Sequence, residues 1–517
     1  MKLRTINKFI IISALIALSC GPLFAQDNSK EDRDRLMERS LFMAMGSEDR
    51  VLKIGLLDCM LYTLKNNSDI LIKGIEPKLR FDDVRRAKAD FEPTFNTEFT
   101  FQDNTVLASN VLQGATIYNT SDMNLNGSVT GKMITGTQYE VDFLNQRFKS
   151  DSSFQIFNPY YEVQPKITMT QPLLKGFGIL VNRADIIIAQ NTRDESESSF
   201  KNTVIGSISS SKEAYYNYVF SLENYAIDKL ALARVISLLE IDKARYQKGL
   251  ISSVAMLETE AAVAEKEKAL IVSEAAIKLA EDELKVITNL VDDPEAWNAR
   301  IELLDKPEFI EEQIDLLDCL TDAFKFRPDY ESLLIDLKSR DVRIKVAKNS
   351  LLPTVDLTGS FGLNGLGKDY ENAIQKANSK YTDWSLGVKI SVPWGTADRA
   401  VFDQRKLEKA QALLSLKKFE HDIILEVRDK VRSVDSQRRQ VQVAKISKEK
   451  EEANYSAQKE RFAAGEVSTH DMLDYQDKLS RSELDYVKAL IDYNIALINL
   501  DKSRGITLVK NNIKLKE

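Results

Sequence analysis

The chain has 517 residues, 29% of them charged, and a net charge of −7. Acids and bases are interleaved along it, so there is no basic stripe of the kind that binds nucleic acid, and charge by itself names no partner. On length alone about three domains would be expected, but internal repetition outranks that prior and makes the chain one fold written twice.

Lys2, Arg4 and Lys8 precede the apolar run Phe9 to Leu18. That charge order and length suit a secretory signal rather than a bilayer-spanning anchor. Cleavage is expected after Ala25, making residues 1–25 a signal peptide, with a loose lipoprotein-like site ending at Cys20 as the competitor. Once Cys20 is removed the chain keeps Cys59 and Cys319, each within an apolar run, and both are expected to be buried thiols rather than a disulfide. The two histidines, His421 and His470, lie too far apart for a helical metal-ligand pair. There is no nucleophile with a partnered base and no phosphate-cradling loop, so neither an enzyme nor a cofactor is expected.

After a polar stretch from 26 to 53, Leu56 to Asn66 and Ile70 to Phe91 read as two helices, with Pro77 expected to kink the second. At Pro93 the period changes to two. Phe95, Thr97, Phe99 and Phe101 alternate with Asn96, Glu98, Thr100 and Gln102, a strand of the ~9 to 11 residues a membrane β-strand needs. A returning strand, Tyr161 to Met169, precedes Pro172. No proline occurs from Leu173 to Asp293, so very long helices are expected, broken once at Lys248-Gly249-Leu250-Ile251-Ser252. A helix from Arg183 to Tyr246 would be about 95 Å long, three times the thickness of a bilayer core, and it carries charges that lipid would not accept. Its apolar residues Tyr218, Leu222, Tyr225, Leu232, Ile236 and Leu239 recur as in helices packed side by side in water.

The same order then returns. Leu56-Leu57-Asp58-Cys59 matches Leu316-Leu317-Asp318-Cys319, and Pro93 matches Pro353, at an offset of 260 (319 less 59). Strands Val355 to Phe361 and Trp384 to Val392 follow, then a proline-free stretch from Trp394 broken at Ala464-Gly465-Glu466-Val467-Ser468. Arg245, Gly249, Ser252, Met256 and Leu257 match Arg461, Gly465, Ser468, Met472 and Leu473 at an offset of 216 (461 less 245). At each break a glycine can take the left-handed conformation that closes one helix, and a serine can cap the next. The first copy carries 44 more residues than the second (260 less 216), and these alternate around Gly136 as an added hairpin would. The organisation is therefore a first repeat over 26–290 (strands within 94–171, long helices 183–290), a connection over 291–315, a second repeat over 316–505 (strands within 354–392, long helices 397–505) and a tail over 506–517.

This doubled order resembles the TolC family of outer-membrane channel proteins. Its carriers are the block from Leu316 to Tyr330 with Arg327-Pro328-Asp329, the strand ends Gln171-Pro172-Leu173-Leu174 and Val392-Pro393-Trp394, and the two glycine turns with Met472-Leu473-Asp474 beyond the second. The resemblance implies a mainly α fold with membrane β: long antiparallel helices forming a periplasmic α-barrel, and strands contributing to a trimeric outer-membrane β-barrel, four from each protomer. It further implies an exit duct for efflux or type I secretion, served by an inner-membrane transporter and a periplasmic adaptor that docks at the tip. The tip residues would be Gly249, Leu250, Ile251 and Ser252 with Gly465, Glu466, Val467 and Ser468. Independently, a few strands per chain cannot hide their edges in lipid and must close with strands of other chains.

Asp471 and Asp474 lie three apart on the first turns of a helix, hence on one face, and a trimer would gather six such carboxylates as a cation-favouring gate. Ser468-Thr469-His470-Asp471 also has the form of a capping box. TolC-like channels are similar in carrying acidic residues at these places. The chain departs from the family gate in having Val467 and Phe462 where a basic residue and a tyrosine can lock the entrance, and Ala255 in place of an acidic partner. The other reading of the long helices is a structural coiled-coil protein bridging the envelope without a pore, which would have no use for the strands.

Overall fold

A computed structural model describes residues 51–107, 117–151, 155–290 and 297–515; the expected signal peptide and Cys20 lie outside the described residues. The first copy comprises β1 (Val51–Ile54), α1 (Leu56–Asn66), α2 (Ser68–Ala89), β2 (Thr94–Leu107), β3 (Ile117–Lys132), β4 (Gln138–Ser150), β5 (Tyr160–Pro172), α3 (Ala184–Gln247) and α4 (Ser253–Ile287). After β6 (Arg300–Leu303), the second comprises α5 (Leu316–Phe326), α6 (Pro328–Ser350), β7 (Thr354–Leu363), β8 (Gly365–Gly367), α7 (Tyr370–Lys376), β9 (Thr382–Ser391), α8 (Ala397–Ala463) and α9 (Thr469–Arg504). Prolines set the changes of period. Pro93 and Pro353 cannot donate to a helix and bias the preceding residue towards extended backbone, so α2 and α6 stop and strands begin one residue later. Pro77 does not end α2, which runs through it.

The long strands form one antiparallel sheet in the order β2-β3-β4-β5-β7-β9, with β8 continuing β7 along β5. The extra residues of the first copy are the β3–β4 hairpin. The sheet of one chain therefore holds six long strands, because this hairpin, as its alternation led us to expect, pairs with β2 on one side and β5 on the other. The period-two pattern carries through the sheet as rows. Phe95, Val129, Val141, Ile167, Phe361 and Trp384 pair in succession on one face. Asn96, Ser128, Asp142, Lys166, Gly362 and Asp383 do so on the other. None of the six apolar residues is buried in the single chain.

α3 spans 64 residues and α8 67, each about 100 Å of helix. They pair with α4 and α9 respectively, and α9 also packs on α3. No helix among the described residues is long and apolar enough to cross a membrane. On α3 Tyr218 is buried as expected, but nearer the tip the buried positions are Ala231, Val235 and Leu238, one residue out of step with the expected Leu232, Ile236 and Leu239, and Ile236 is exposed. The apolar band is wider than one seam, since α3 meets α4 and α9 on different sides. The serine-rich turn of α3 serves packing. The Ser211 hydroxyl accepts a hydrogen bond from Thr63 Oγ1 at 2.8 Å and lies 3.0 Å from Cys59 Sγ, which lets α1 approach closely. Burial pushes the Cys59 thiol up to about 11, so it is an inert core group. Cys319 is buried in a separate apolar cluster.

A small parallel ladder between β1 and β6 ties the start of the first copy to the segment between copies. Arg327 ties down the end of the second: its guanidinium donates to both carboxylate oxygens of Asp329, to Glu426 at 2.6 Å and to the carbonyl of Ser503. α9 ends there at Gly505, whose φ is +72° and whose missing Cβ would sit 2.8 Å from the backbone of Phe326. Replacing Gly505 by alanine therefore combines a left-handed backbone with a backbone clash. We expect a loss of about 1–3 kcal/mol, read as a lowered thermal midpoint of the detergent-purified protein; an unchanged midpoint would contradict the close approach.

Candidate functional site: the helical tip

The two helix-to-helix turns close alike. Gly249 has φ +70° and Gly465 +82°. Each glycine amide donates three residues back, to Tyr246 and Phe462, and the following amide donates to Arg245 and Arg461. The resulting loops satisfy the last carbonyls of α3 and α8. Ser252 and Ser468 then accept from the amides of Ala255 and Asp471. The matched residues thus build two equivalent turns, and they lie side by side: Leu238 of α3 packs with Phe462 and Met472 in one apolar cluster, with Val467 against it. Leu250, Ser252, Gly465, Glu466 and Ser468 are exposed, and Ile251 and Val467 are half-buried.

The copies diverge in what joins them. Arg245 stacks over the Phe462 ring at 4.0 Å and donates to the Phe462 carbonyl at 2.6 Å. Its counterpart Arg461 instead reaches Glu466 at 3.1 Å. Phe462, standing where a tyrosine could lock the entrance, is buried under Arg245. Beneath them Asp242 is fully buried, accepting from Thr259 at 2.8 Å and from Thr469 at 3.1 Å, so one carboxylate fastens α3, α4 and α9 together. The Arg234–Glu483 ion pair, both partners largely buried, joins α3 to α9 again about two turns of α3 further from the tip.

Asp471 and Asp474 are exposed, as their spacing on one face requires. Asp471 Oδ2 accepts from the Ser468 hydroxyl at 2.6 Å, and that bond holds its carboxyl below the usual carboxylate range. The cap is reciprocal through the hydroxyl rather than through the Ser468 amide, so Asp471 does structural work. Asp474 is paired with Lys478 at 2.5 Å. Two further members of the site were not found by motif. His470 Nδ1 lies 2.5 Å from Glu258 Oε1, linking α9 to α4 at the surface. Glu258 is the first-copy counterpart of Asp474 at the offset of 216 (474 less 258), and applying that offset to Asp474 as well as to the turn would have located it. Among the described residues there is no cluster suited to a metal ion.

A family model described as outer membrane efflux protein matches residues 62–290 and 320–505. No curated protein sequence matches the chain. Among solved structures, the fold is similar to the CmeC outer membrane channel of Campylobacter jejuni, at 17% identity and TM-score 0.63 over 87% of this chain and 85% of that one. It is also similar to the outer membrane protein VceC of Vibrio cholerae, at 13% identity and TM-score 0.63 over 87% and 96%. A third likeness is to the open state of the MtrE outer membrane channel of Neisseria gonorrhoeae, at 14% identity and TM-score 0.60 over 87% and 88%.

The His470–Glu258 link has a defined pH dependence. The hydrogen bond and charge of Glu258 raise the imidazole above its ordinary value. A group so raised contributes fully below its unfolded-state value, and the contribution is lost as pH rises through the folded one. Titration of the His470 ring protons by NMR should give a midpoint above that of an unfolded peptide, and Glu258→Gln should bring it down. Identical midpoints in the two proteins would show that the pair does not form in solution.

Proposed function

The chain belongs to the outer membrane efflux protein family, whose members are outer-membrane channels, and from that premise we propose that three copies assemble into one exit duct with a periplasmic extension. The observation that carries this is the sheet: six long strands, an apolar row from Phe95 to Trp384 left unburied, and two unpaired edges at β2 and β9. An open edge in lipid leaves backbone groups without partners, at a cost of several kcal/mol each, so the sheet needs further strands to be stable there. β2 runs away from the helices and β9 returns, so the β9 edge of one copy can pair antiparallel with the β2 edge of the next. The helices make the same demand. Ile271, Leu279, Leu407 and Leu414 are strongly exposed apolar residues on α4 and α8 that neighbouring copies would cover. A non-porous coiled-coil bridge leaves the sheet without a use.

In this assembly the tips converge at the far end of the helices, where Asp471 and Asp474 form the selective ring. Lys478 offsets part of its charge. In planar bilayers we expect cation preference in the wild type, weaker preference in the Asp471→Asn, Asp474→Asn double variant and stronger preference in Lys478→Gln. Equal selectivity in all three would remove the ring from the account.

The exposed residues Leu250 and Glu466, with Gly249, Ile251, Ser252, Gly465, Val467 and Ser468 shaping the turns around them, form the docking surface for a periplasmic adaptor, itself coupled to an inner-membrane transporter. Photo-crosslinkers at Leu250 and Glu466 should capture an adaptor in intact cells; capture from the exposed mid-helix Asp429 of α8 but from neither tip position would place docking elsewhere.

A further inference from the structure

We propose that the assembled channel crosses the outer membrane as an eighteen-stranded barrel, with the β3–β4 hairpin forming part of its wall. The inference rests on the three-copy reading above, and six strands from each of three copies give the number. The hairpin lies between β2 and β5 in the strand order. It cannot hang outside the wall without breaking both ladders. β3 has 16 residues and β4 13, more than the ~9 to 11 a membrane-spanning strand needs.

The level of the hairpin matches that of the rest of the sheet. Its turn sits at the helical base, where Gly178 donates to the Thr135 carbonyl at 3.2 Å and Thr137 bonds the side chain of Gln171 at 2.5 Å. Gly136 fixes that seat. Its φ is +98°, and a Cβ there would meet the carbonyl oxygen of Gly176 and the side chain of Asn182, so no other residue lets the turn lie so close to the start of α3. The faces match as well. Val129 and Val141 continue the apolar row from Phe95 to Ile167, and Ser128 and Asp142 continue the polar row from Asn96 to Lys166. A loop lying in water, or a hairpin folded into the lumen, has no reason to keep this alternation in step with strands on both sides.

Barrel diameter grows nearly in proportion to strand number. With strands about 4.8 Å apart and tilted about 40°, eighteen close at about 36 Å between backbones, against about 24 Å for the twelve that four strands per copy would give. Barrels of 16–18 strands leave an aqueous channel. The membrane segment is then an open exit, and selection rests with the helical tip.

Single cysteines test this in the full-length protein in outer-membrane vesicles. Val129→Cys and Val141→Cys should resist a water-soluble maleimide and react with a membrane-soluble one, as should Val388→Cys on β9, whereas Ser128→Cys should react with the water-soluble reagent. If Val388→Cys is protected but Val129→Cys and Val141→Cys react from water, the hairpin is outside the wall and the proposal fails while the channel reading stands. If Val388→Cys itself reacts from water, both fail. Electron cryo-microscopy of the detergent-purified wild type gives an independent reading that needs no variant: eighteen strands in the barrel support the proposal and twelve overturn it.

Discussion

Everything in this structure depends on one requirement, that each backbone amide and carbonyl inside a bilayer have a partner. Six antiparallel strands satisfy it in their interior and fail at two edges. In the proposed assembly the chain is a fraction of a closed object, and the rest of its architecture follows. The strand number is even, so the two edges run in opposite directions and identical copies can join head to tail without reversing the ladder. In the proposed assembly the apolar row from Phe95 to Trp384, unburied within the chain, has lipid as its partner.

The helical part solves a different problem, that of holding four long helices in register in water. Burial does most of it: Tyr215 and Tyr218 with Leu284 in one cluster, Ile423, Val427, Val434 and Val441 with Tyr493 in another. Polar groups then fix register where the apolar seams are interchangeable. Arg327 reaches α8 and the end of α9, and Asp242 holds three helices at the tip. Removing one partner of such a buried link leaves a desolvated charge, which costs more than the link contributes when whole. Duplication supplied two copies of the turn, and divergence of the side chains between them supplied the cross-ties.

Much of this was legible in the sequence. The doubled turns, the proline boundaries and the period-two strands are local signals, set by backbone chemistry within a few residues, and each reads out where expected. The added hairpin was legible for the same reason, although the family resemblance by itself implies four barrel strands from each protomer. The one-residue shift of the α3 seam was not legible, since which residues of a broad apolar band face inward depends on two neighbours that sequence periodicity does not place. At the tip, Asp471 and Asp474 were found from spacing on one helix. The ion pairs around them are not visible in that spacing: Lys478, which pairs with Asp474, is one turn on, and Glu258, which pairs with His470, is on another helix although the internal repeat points to it. The reading of Asp471 as a cap is met by its bond to Ser468.

The central claim is that the open edges of one chain are closed by identical copies. Its most direct test is native mass spectrometry of the protein extracted from outer membranes in mild detergent, before any crosslinking. The account predicts a particle of three times the protomer mass. A particle of protomer mass that conducts ions would contradict it, because six strands with two free edges could not then be the membrane-spanning form.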